Sequence, residues 1–133
     1  LESQAKQSEQ SAADLYELAS VQLRKRLYGQ AIDSLKRASK SSAQEPPEAQ
    51  ALIENALGFA LAAQSNYTAA IKHYRAALRA KADYPVALNN LAFALEKQQK
   101  PDEAKATYEQ VLALDGNNRT ARKRLKRLER TAA

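Results

Sequence analysis

The chain has 133 residues, of which 44% are hydrophobic, and it carries a net charge of +6 without any cysteine or methionine. Disulfides, thiolate chemistry and cysteine-based metal sites are therefore excluded. No stretch approaches the roughly 20 consecutive apolar residues that a membrane-spanning helix needs. Alanine and leucine dominate the apolar residues and glycine is scarce, which favours helices over sheets.

The positive charge is concentrated near the C-terminus. Residues 119–130 hold seven of the 21 Lys and Arg residues and only one acidic residue, Glu129, whereas basic and acidic residues balance over the rest of the chain. The position of a basic cluster is informative about binding partners, whereas the average charge of the chain is not.

The first third of the chain begins with a polar segment. Residues 1–11 show no apolar periodicity, so we expect a flexible lead-in. Because position 1 is not methionine, we expect a segment upstream of Leu1, and an apolar run of about 20 residues there would provide a membrane anchor. Apolar residues then recur at helical spacing from residue 12 and again from Tyr28. The Ser- and Pro-rich stretch 39–47 predicts a long loop.

Further helices follow, with recognisable starts and stops. Pro47 and Pro101 are each followed by acidic residues and predict helix starts, because proline suits the first helical position and acids favour the positive end of the helix dipole. We predict helices over about 47–64, 67–81, 85–98 and 101–114. Gly116 should end the last of these in a left-handed conformation. Asn118 should cap a final helix over about 119–131.

The chain contains an internal repeat with an offset of 34 residues. The matching segments and residues are Leu57–Leu61 with Leu91–Leu95, Asn55 with Asn89, Ala70 with Ala104, and Tyr74 with Tyr108. This pattern resembles the tetratricopeptide repeat, a helix–turn–helix unit. The resemblance implies an all-α helical solenoid, right-handed, with three repeats over about 12–45, 51–84 and 85–118 and a basic capping helix over 119–133.

Small residues recur where the two helices of each repeat should meet. They are Ala19, Gly58 and Ala92 on the first helices and Ala31, Ala70 and Ala104 on the second helices. Small side chains let two helices approach to about 8–10 Å. We therefore predict that these residues, with Tyr74 and Tyr108 beyond them, form the core.

Function in a helical solenoid lies on its concave face, which the first helices line. The positions that point inward in tetratricopeptide proteins predict a peptide-binding groove lined by Tyr16, Ser20, Asn55, Phe59, Asn89, Asn90, Phe93 and Lys97. Amides can bond to a partner's backbone and rings offer apolar anchors. In the alternative interpretation, the asparagines bond to neighbouring helix ends and the phenylalanines belong partly to the core.

One specialised use of this groove is not expected. Tetratricopeptide co-chaperones hold the terminal carboxylate of heat-shock chaperones with Lys, Asn, Asn, Lys and Arg. The matching positions here are Tyr16, Ser20, Ala56, Val86 and Asn90. Because none of these is a cation, we expect no binding of such tails by that mechanism.

Catalysis is not predicted either. His73, the only histidine, falls on an outer helix, where we expect a solvated surface residue. The sequence holds no Ser/His/Asp set, Gly-rich phosphate loop or paired metal-ligand spacing. We therefore expect no enzymatic activity, no cofactor and no metal site.

The basic residues of the final helix allow three interpretations. The six residues predicted to contact a partner surface are Arg119, Arg122, Lys123, Lys126, Arg127 and Arg130. They could be the solvated side of a capping helix, a contact for an acidic protein or anionic membrane surface, or a contact for nucleic-acid phosphates. Nucleic acid is disfavoured because the segment has no aromatic residue that could stack on bases.

The segment from Tyr84 to Glu129 is similar to small tetratricopeptide proteins of cyanobacteria and plastids that assist photosystem I assembly. It shares an Asn89-Asn90-Leu91 helix start, an Asn117-Asn118 turn and a basic last helix. The resemblance implies a scaffold that binds a peptide or helix, with photosystem I subunits as partners, on the cytoplasmic or stromal face of the thylakoid membrane. A generic adaptor in an unrelated complex, and an anionic-surface or nucleic-acid binder acting through the final helix, are the alternatives.

Overall fold

The computed structural model describes residues 10–132, and within them it contains seven α-helices and no strand. The helices are α1 (Ala12–Arg24), α2 (Tyr28–Ser41), α3 (Pro47–Ala63), α4 (Tyr67–Ala80), α5 (Pro85–Lys97), α6 (Pro101–Leu114) and α7 (Arg119–Ala132). The predicted all-α chain is confirmed. Residues 1–9 of the predicted lead-in lie outside the described residues.

The helices stack in chain order. Each helix packs on the next, so that α1/α2, α3/α4 and α5/α6 form three pairs and α7 covers the last of them. The first helices of the second and third pairs, α3 and α5, also contact each other directly. Side chains of these first helices therefore share one face of the stack, and that face is the candidate groove described below.

The small residues lie in the core as predicted. Ala31, Ala70 and Ala104 on the second helices have no exposed surface, and Ala19 and Ala92 are equally enclosed. Gly58 is required by a close approach, because a Cβ there would lie 2.6 Å from two ring carbons of Tyr74. The small residues thus set the distance between paired helices.

The turns inside the three pairs share a backbone feature that was not predicted. Arg26, Ser65 and Gln99 have positive φ angles of 60°, 63° and 59°, a region that usually favours glycine. The next amide in each turn bonds to a carbonyl five residues back, for example from Asn66 N to Leu61 O at 2.9 Å. This bond completes a Schellman-type helix end in every repeat.

The predicted loop at residues 39–47 is largely wrong. α2 continues to Ser41, a 3₁₀ turn follows at Ser42–Gln44, and α3 begins at Pro47. The Ser39 hydroxyl donates to Glu54 Oε1 at 2.6 Å, and the Ser42 hydroxyl donates to the Ser39 carbonyl at 2.8 Å. Both serine hydroxyls therefore bond to residues of α2 or α3, and the composition of this stretch did not indicate these bonds.

The end of α6 also differs from the prediction. No glycine in residues 10–132 has a positive φ, so Gly116 is not a left-handed cap. Asp115 instead ends the helix, with φ −145° and ψ 90°. The predicted cap of α7 is confirmed, because Asn118 Oδ1 accepts a bond from Ala121 N at 3.0 Å.

The described helices are 13 to 17 residues long. Between residues 10 and 132, none of them combines the length and the apolar character needed to cross it.

Candidate functional site

Two amides and a tyrosine connect the first helices of repeats 2 and 3. Asn90 Nδ2 donates to Asn55 Oδ1 at 3.0 Å, and Asn55 Nδ2 donates to the Tyr84 hydroxyl at 3.4 Å. Burial raises the pKa of Tyr84, nearby Tyr16 adds to the rise, and the bond from Asn55 opposes it. Asn55, Asn90, Tyr84 and Tyr16 therefore lie close together along the face formed by α1, α3 and α5.

An aromatic cavity lies beside these amides. Phe59 is 47% exposed although it is a large apolar residue. It borders a cavity of about 250 Å³ together with Phe93 and Asn90 on α5, Arg124 on α7, and residues at the junction of α3 and α4. Both sequence-predicted phenylalanines thus line one concave site, and four helices contribute to its walls.

Two cations lie over the Phe93 ring. Arg124 Cζ is 4.8 Å and Lys97 Nζ is 5.2 Å from the ring centroid. Cation–π contacts of this length contribute on the order of 0.5–1 kcal/mol at exposed sites. They also hold positive charge at the edge of the aromatic cavity.

Asn89 lies elsewhere. It is buried, and its Nδ2 donates to Asn118 Oδ1 at 3.2 Å, at the start of α7. Its Oδ1 accepts no hydrogen bond from the described residues. Asn55 and Asn89 are equivalent in the repeat but have different neighbours, and Asn89 belongs to the packing between α5 and α7. For this residue the structure agrees with the alternative interpretation, in which asparagine bonds to a helix end.

The repeat 1 end of the face is apolar with an acidic border. Tyr16, Leu52 and Ile53 line a second cavity of about 220 Å³, and Glu17 and Glu45 lie at its edge. The Ser20 hydroxyl bonds to the Tyr16 carbonyl one turn earlier at 2.9 Å, so its proton is engaged within α1. The Tyr16 side chain is therefore available for contact with a ligand, whereas the Ser20 hydroxyl has no free proton to donate.

The basic residues of α7 do not share one environment. Arg127 Nη2 donates to Glu96 Oε1, while Glu96 Oε2 accepts a bond from the Tyr108 hydroxyl. Burial and the bond to Glu96 raise the pKa of Tyr108. Arg127, predicted as a surface contact, is therefore engaged in fixing the cap. Another set surrounds a shallow depression of about 470 Å³ and consists of Arg119, Arg122, Lys123 and Lys126.

Sequence reasoning missed Arg124, which lines the aromatic cavity, and Tyr84, whose hydroxyl accepts a bond from Asn55. Arg124 stands three residues after Ala121 and four before Leu128, so it borders the apolar stripe of α7, and this helical spacing was the available signal. Its Nη1 donates to the Asn89 carbonyl at 3.5 Å. Tyr84 gave no comparable signal, because its hydroxyl bonds to a side chain 29 residues away.

The expectation that His73 is a solvated surface residue is wrong. His73 Nδ1 lies 2.7 Å from Glu54 Oε2, and the two side chains are 23% and 16% exposed. Burial pushes the pKa of Glu54 upward, but the bonds from His73 and Ser39 and the charge of His73 outweigh it, and the pKa is lowered. The cluster is not a catalytic relay, because the carboxylate rather than the imidazole bonds to the serine.

Residues 10–132 contain no group of three or more His, Asp or Glu side chains arranged to hold a metal ion.

The stacked helix pairs, with a concave face formed by α1, α3 and α5, define a helical-repeat scaffold for protein–protein interaction. Residues 61–128 match the family model described as the tetratricopeptide repeat, and the chain belongs to that family. Such scaffolds are generally not enzymes.

Two relatives and one solved structure illustrate the match. The chain is 32% identical to "Uncharacterized protein ycf37" of Cyanophora paradoxa, covering 92% of this chain and 71% of the relative. It is 33% identical to "Tetratricopeptide repeat domain-containing protein PYG7, chloroplastic" of Arabidopsis thaliana, covering 93% of this chain but only 41% of that relative. The first repeat domain of Spaghetti (RPAP3), solved with an HSP90 peptide, shares the fold at a TM-score of 0.84 and 23% identity, covering 91% and 92% of the two chains.

Proposed function

We propose that the face formed by Tyr16, Asn55, Phe59, Asn90 and Phe93 binds a peptide or helix of a protein partner. The observation that carries this proposal is Phe59, a large apolar side chain that is 47% exposed at the rim of an aromatic cavity. Exposed aromatic residues beside a concave site are typical anchors for a partner side chain. The neighbouring amides would satisfy polar groups of the bound segment.

The second part of the proposal concerns the biological setting. We propose that the chain assists assembly of a photosynthetic membrane complex, photosystem I, on the cytoplasmic or stromal side of the thylakoid membrane. Two findings support this setting: the C-terminal resemblance described above and the relationship to a chloroplastic repeat protein and to ycf37. The generic alternative is an adaptor with the same groove in a different complex.

The groove is not proposed to hold the carboxylate tails of chaperones. The positions that would need cations for such a clamp hold Tyr16, Val86 and Asn90 instead. Ser20 and Ala56 occupy the remaining two positions. The likeness to the RPAP3 domain extends to the fold, and its HSP90 peptide is not carried over to this chain.

Capture from detergent-solubilised thylakoid membranes tests the proposal. The bait is the wild-type chain or the double variant Phe59→Ala/Phe93→Ala, and the readout is the amount of photosystem I subunits by quantitative mass spectrometry. Losing two central apolar anchors should lower recovery at least about tenfold. Circular dichroism establishes that the variant keeps its helices.

Leu114→Ala is the matched control for this experiment. Leu114 is 48% exposed at the end of α6, away from the groove, and its truncation should not change recovery. Equal recovery by the wild type and the double variant would contradict groove binding. If the double variant loses partners that do not include photosystem I subunits, the generic adaptor is favoured.

A second candidate function uses the outward face of α7. Four cations surround one depression on the side of this helix opposite Ala121, which is fully buried. This arrangement favours contact with an anionic membrane surface, to which each basic residue near the bilayer contributes about 1 kcal/mol. Co-sedimentation with phosphatidylglycerol vesicles should then weaken steeply with salt and fail with phosphatidylcholine vesicles. A flat salt response would contradict it.

A further inference from the structure

Arg124 is one of the two cations that lie over the Phe93 ring. In residues 10–132 no carboxylate forms an ion pair with Arg124. Glu96 accepts one hydrogen bond on each oxygen, from Tyr108 and from Arg127, and Arg124 interacts with the same Tyr108 hydroxyl without pairing directly with that carboxylate. A guanidinium has five N–H donors, and the long bond to the Asn89 carbonyl at 3.5 Å and the interaction with the Tyr108 hydroxyl leave other donors of Arg124 for a ligand.

The contact with the Phe93 ring orders the Arg124 side chain in the free protein. Its guanidinium carbon lies 4.8 Å from the Phe93 ring centroid, and the same side chain forms part of the wall of the aromatic cavity. Ordering the side chain in the free protein lowers the entropy that a ligand would otherwise lose on pairing with it. Lys97 adds a second positive charge 5.2 Å from the same ring.

The opposite end of the groove has the opposite charge. There the cavity beside Tyr16 and Leu52 is bordered by Glu17 and Glu45. A segment lying along the groove would therefore meet carboxylates at the α1 end and cations at the α7 end. Like charges placed opposite each other disfavour binding, so this arrangement distinguishes between the two directions of a charged segment.

We propose that the groove selects a partner segment in which an acidic residue neighbours an apolar one, with the apolar side chain in the Phe59–Phe93 cavity and the carboxylate paired with Arg124. The acidic end of the segment points toward α7. The inference rests on the proposed groove function and names the chemistry of its ligand. It differs from a carboxylate clamp because the cation comes from the capping helix and recognises a side chain within the segment.

A random dodecapeptide library displayed on phage tests the proposal. It is selected in parallel on the wild type, Arg124→Gln, Arg124→Lys, Arg75→Gln and Phe59→Ala, and the bound clones are sequenced. On the wild type, Asp or Glu within two residues of an aromatic or large aliphatic residue should be enriched about tenfold over the unselected library. Arg124→Gln should lose that enrichment, and Arg124→Lys should keep part of it.

Arg75→Gln is the matched control for charge. Arg75 is exposed on α4, an outer helix, and its loss changes the net charge by the same amount. The acidic preference should survive this substitution. Selection of apolar peptides without acidic residues, or the same acidic preference on Arg124→Gln, would overturn the inference while leaving groove binding in place. Peptide recovery that is equal on the wild type and Phe59→Ala would overturn the groove itself.

Discussion

Repeats 2 and 3 share one template at a 34-residue offset, but different contacts hold their paired helices together. In repeat 2 the Tyr74 ring occupies the space where a Cβ of Gly58 would stand. In repeat 3 the small residue is Ala92, and the Tyr108 hydroxyl donates to Glu96 on the first helix. One tyrosine is therefore held by close packing and the other by a charge-assisted hydrogen bond.

The buried polar contacts of the two repeats also face different neighbours. Glu54 and His73 of repeat 2 pair with each other, and Ser39 of α2 joins them, so this contact faces repeat 1. The equivalent positions in repeat 3 are Leu88 and Thr107, both buried. These two residues cannot form an ion pair, and the Thr107 hydroxyl donates instead to the Glu103 carbonyl of its own helix at 2.7 Å.

Repeat 3 places its polar contact on the other side, toward the cap. Glu96 binds Arg127 of α7 as well as Tyr108, whereas the equivalent position in repeat 2 is Ala62. The directional bond from Arg127 to Glu96 helps to fix the orientation of α7 on α5. The shared small residues set helix spacing, and the charged residues differ because the neighbours differ.

The largest effect is expected from giving repeat 2 the small residue of repeat 3. Gly58→Ala would place a methyl group 2.6 Å from the Tyr74 ring, and the ring must shift. We expect the free energy of unfolding to fall by about 2 kcal/mol, even though alanine favours the helix by about 1 kcal/mol. Urea denaturation followed by circular dichroism measures the change.

The reverse exchange controls for helix propensity. Ala92→Gly should lower the free energy of unfolding by about 1 kcal/mol, mainly because glycine disfavours a helix interior. A Gly58→Ala protein as stable as the wild type would show that Tyr74 shifts at no cost, and the contrast in packing between the repeats would then be lost.

A smaller effect should distinguish the two tyrosines. Tyr108→Phe removes the hydroxyl that donates to Glu96, whose side chain is only 13% exposed. Loss of a hydrogen bond to a charged, largely buried group should cost about 1.5 kcal/mol. Tyr74→Phe removes no hydrogen bond recorded among residues 10–132 and should cost less than about 0.5 kcal/mol. Equal losses in the two variants would contradict the proposed difference.

Repeat periodicity and helix punctuation predicted most of the fold from the sequence. Pro47, Pro101 and Asn118 mark helix starts through local backbone chemistry, and local chemistry is visible in sequence. Residues 39–44 were misjudged because Ser39 is satisfied by Glu54, fifteen residues away. His73 was misjudged for the same reason, since its partner lies on another helix.

The candidate site was predicted less completely than the fold. Spacing placed Phe59 and Phe93 on one face, and the structure brings them to one cavity. Neighbours in a helix differ by about 100° in direction, so the single step from Asn90 to Asn89 separates the groove from the cap. The spacing within α7 places Arg124 beside the apolar stripe, but its contact with Phe93 depends on how α7 docks, which that spacing does not specify.

The smallest expected effect depends on pH and concerns the Glu54–His73 pair of repeat 2. The pKa of Glu54 is lowered from 4.5, because bonds from His73 and Ser39 and the charge of His73 outweigh the upward effect of burial. The folded protein therefore binds this proton more weakly than the unfolded chain does. The resulting stability is fully present above about pH 4.5 and is lost as the pH falls through the folded pKa.

Glu54→Gln should thus lower the free energy of unfolding by about 1 kcal/mol at neutral pH and reduce its decline below pH 4.5. Urea titrations of wild type and variant across this range isolate the contribution, since the other carboxyl groups titrate in both proteins. The double variant Glu54→Leu/His73→Thr installs the residues of repeat 3 and should also lack this contribution. The contrary result is a Glu54→Gln protein whose free energy of unfolding differs from that of the wild type by the same amount at every pH. The Glu54–His73 pair would then stabilise the fold through packing alone, and its charge would have no role in joining repeats 1 and 2.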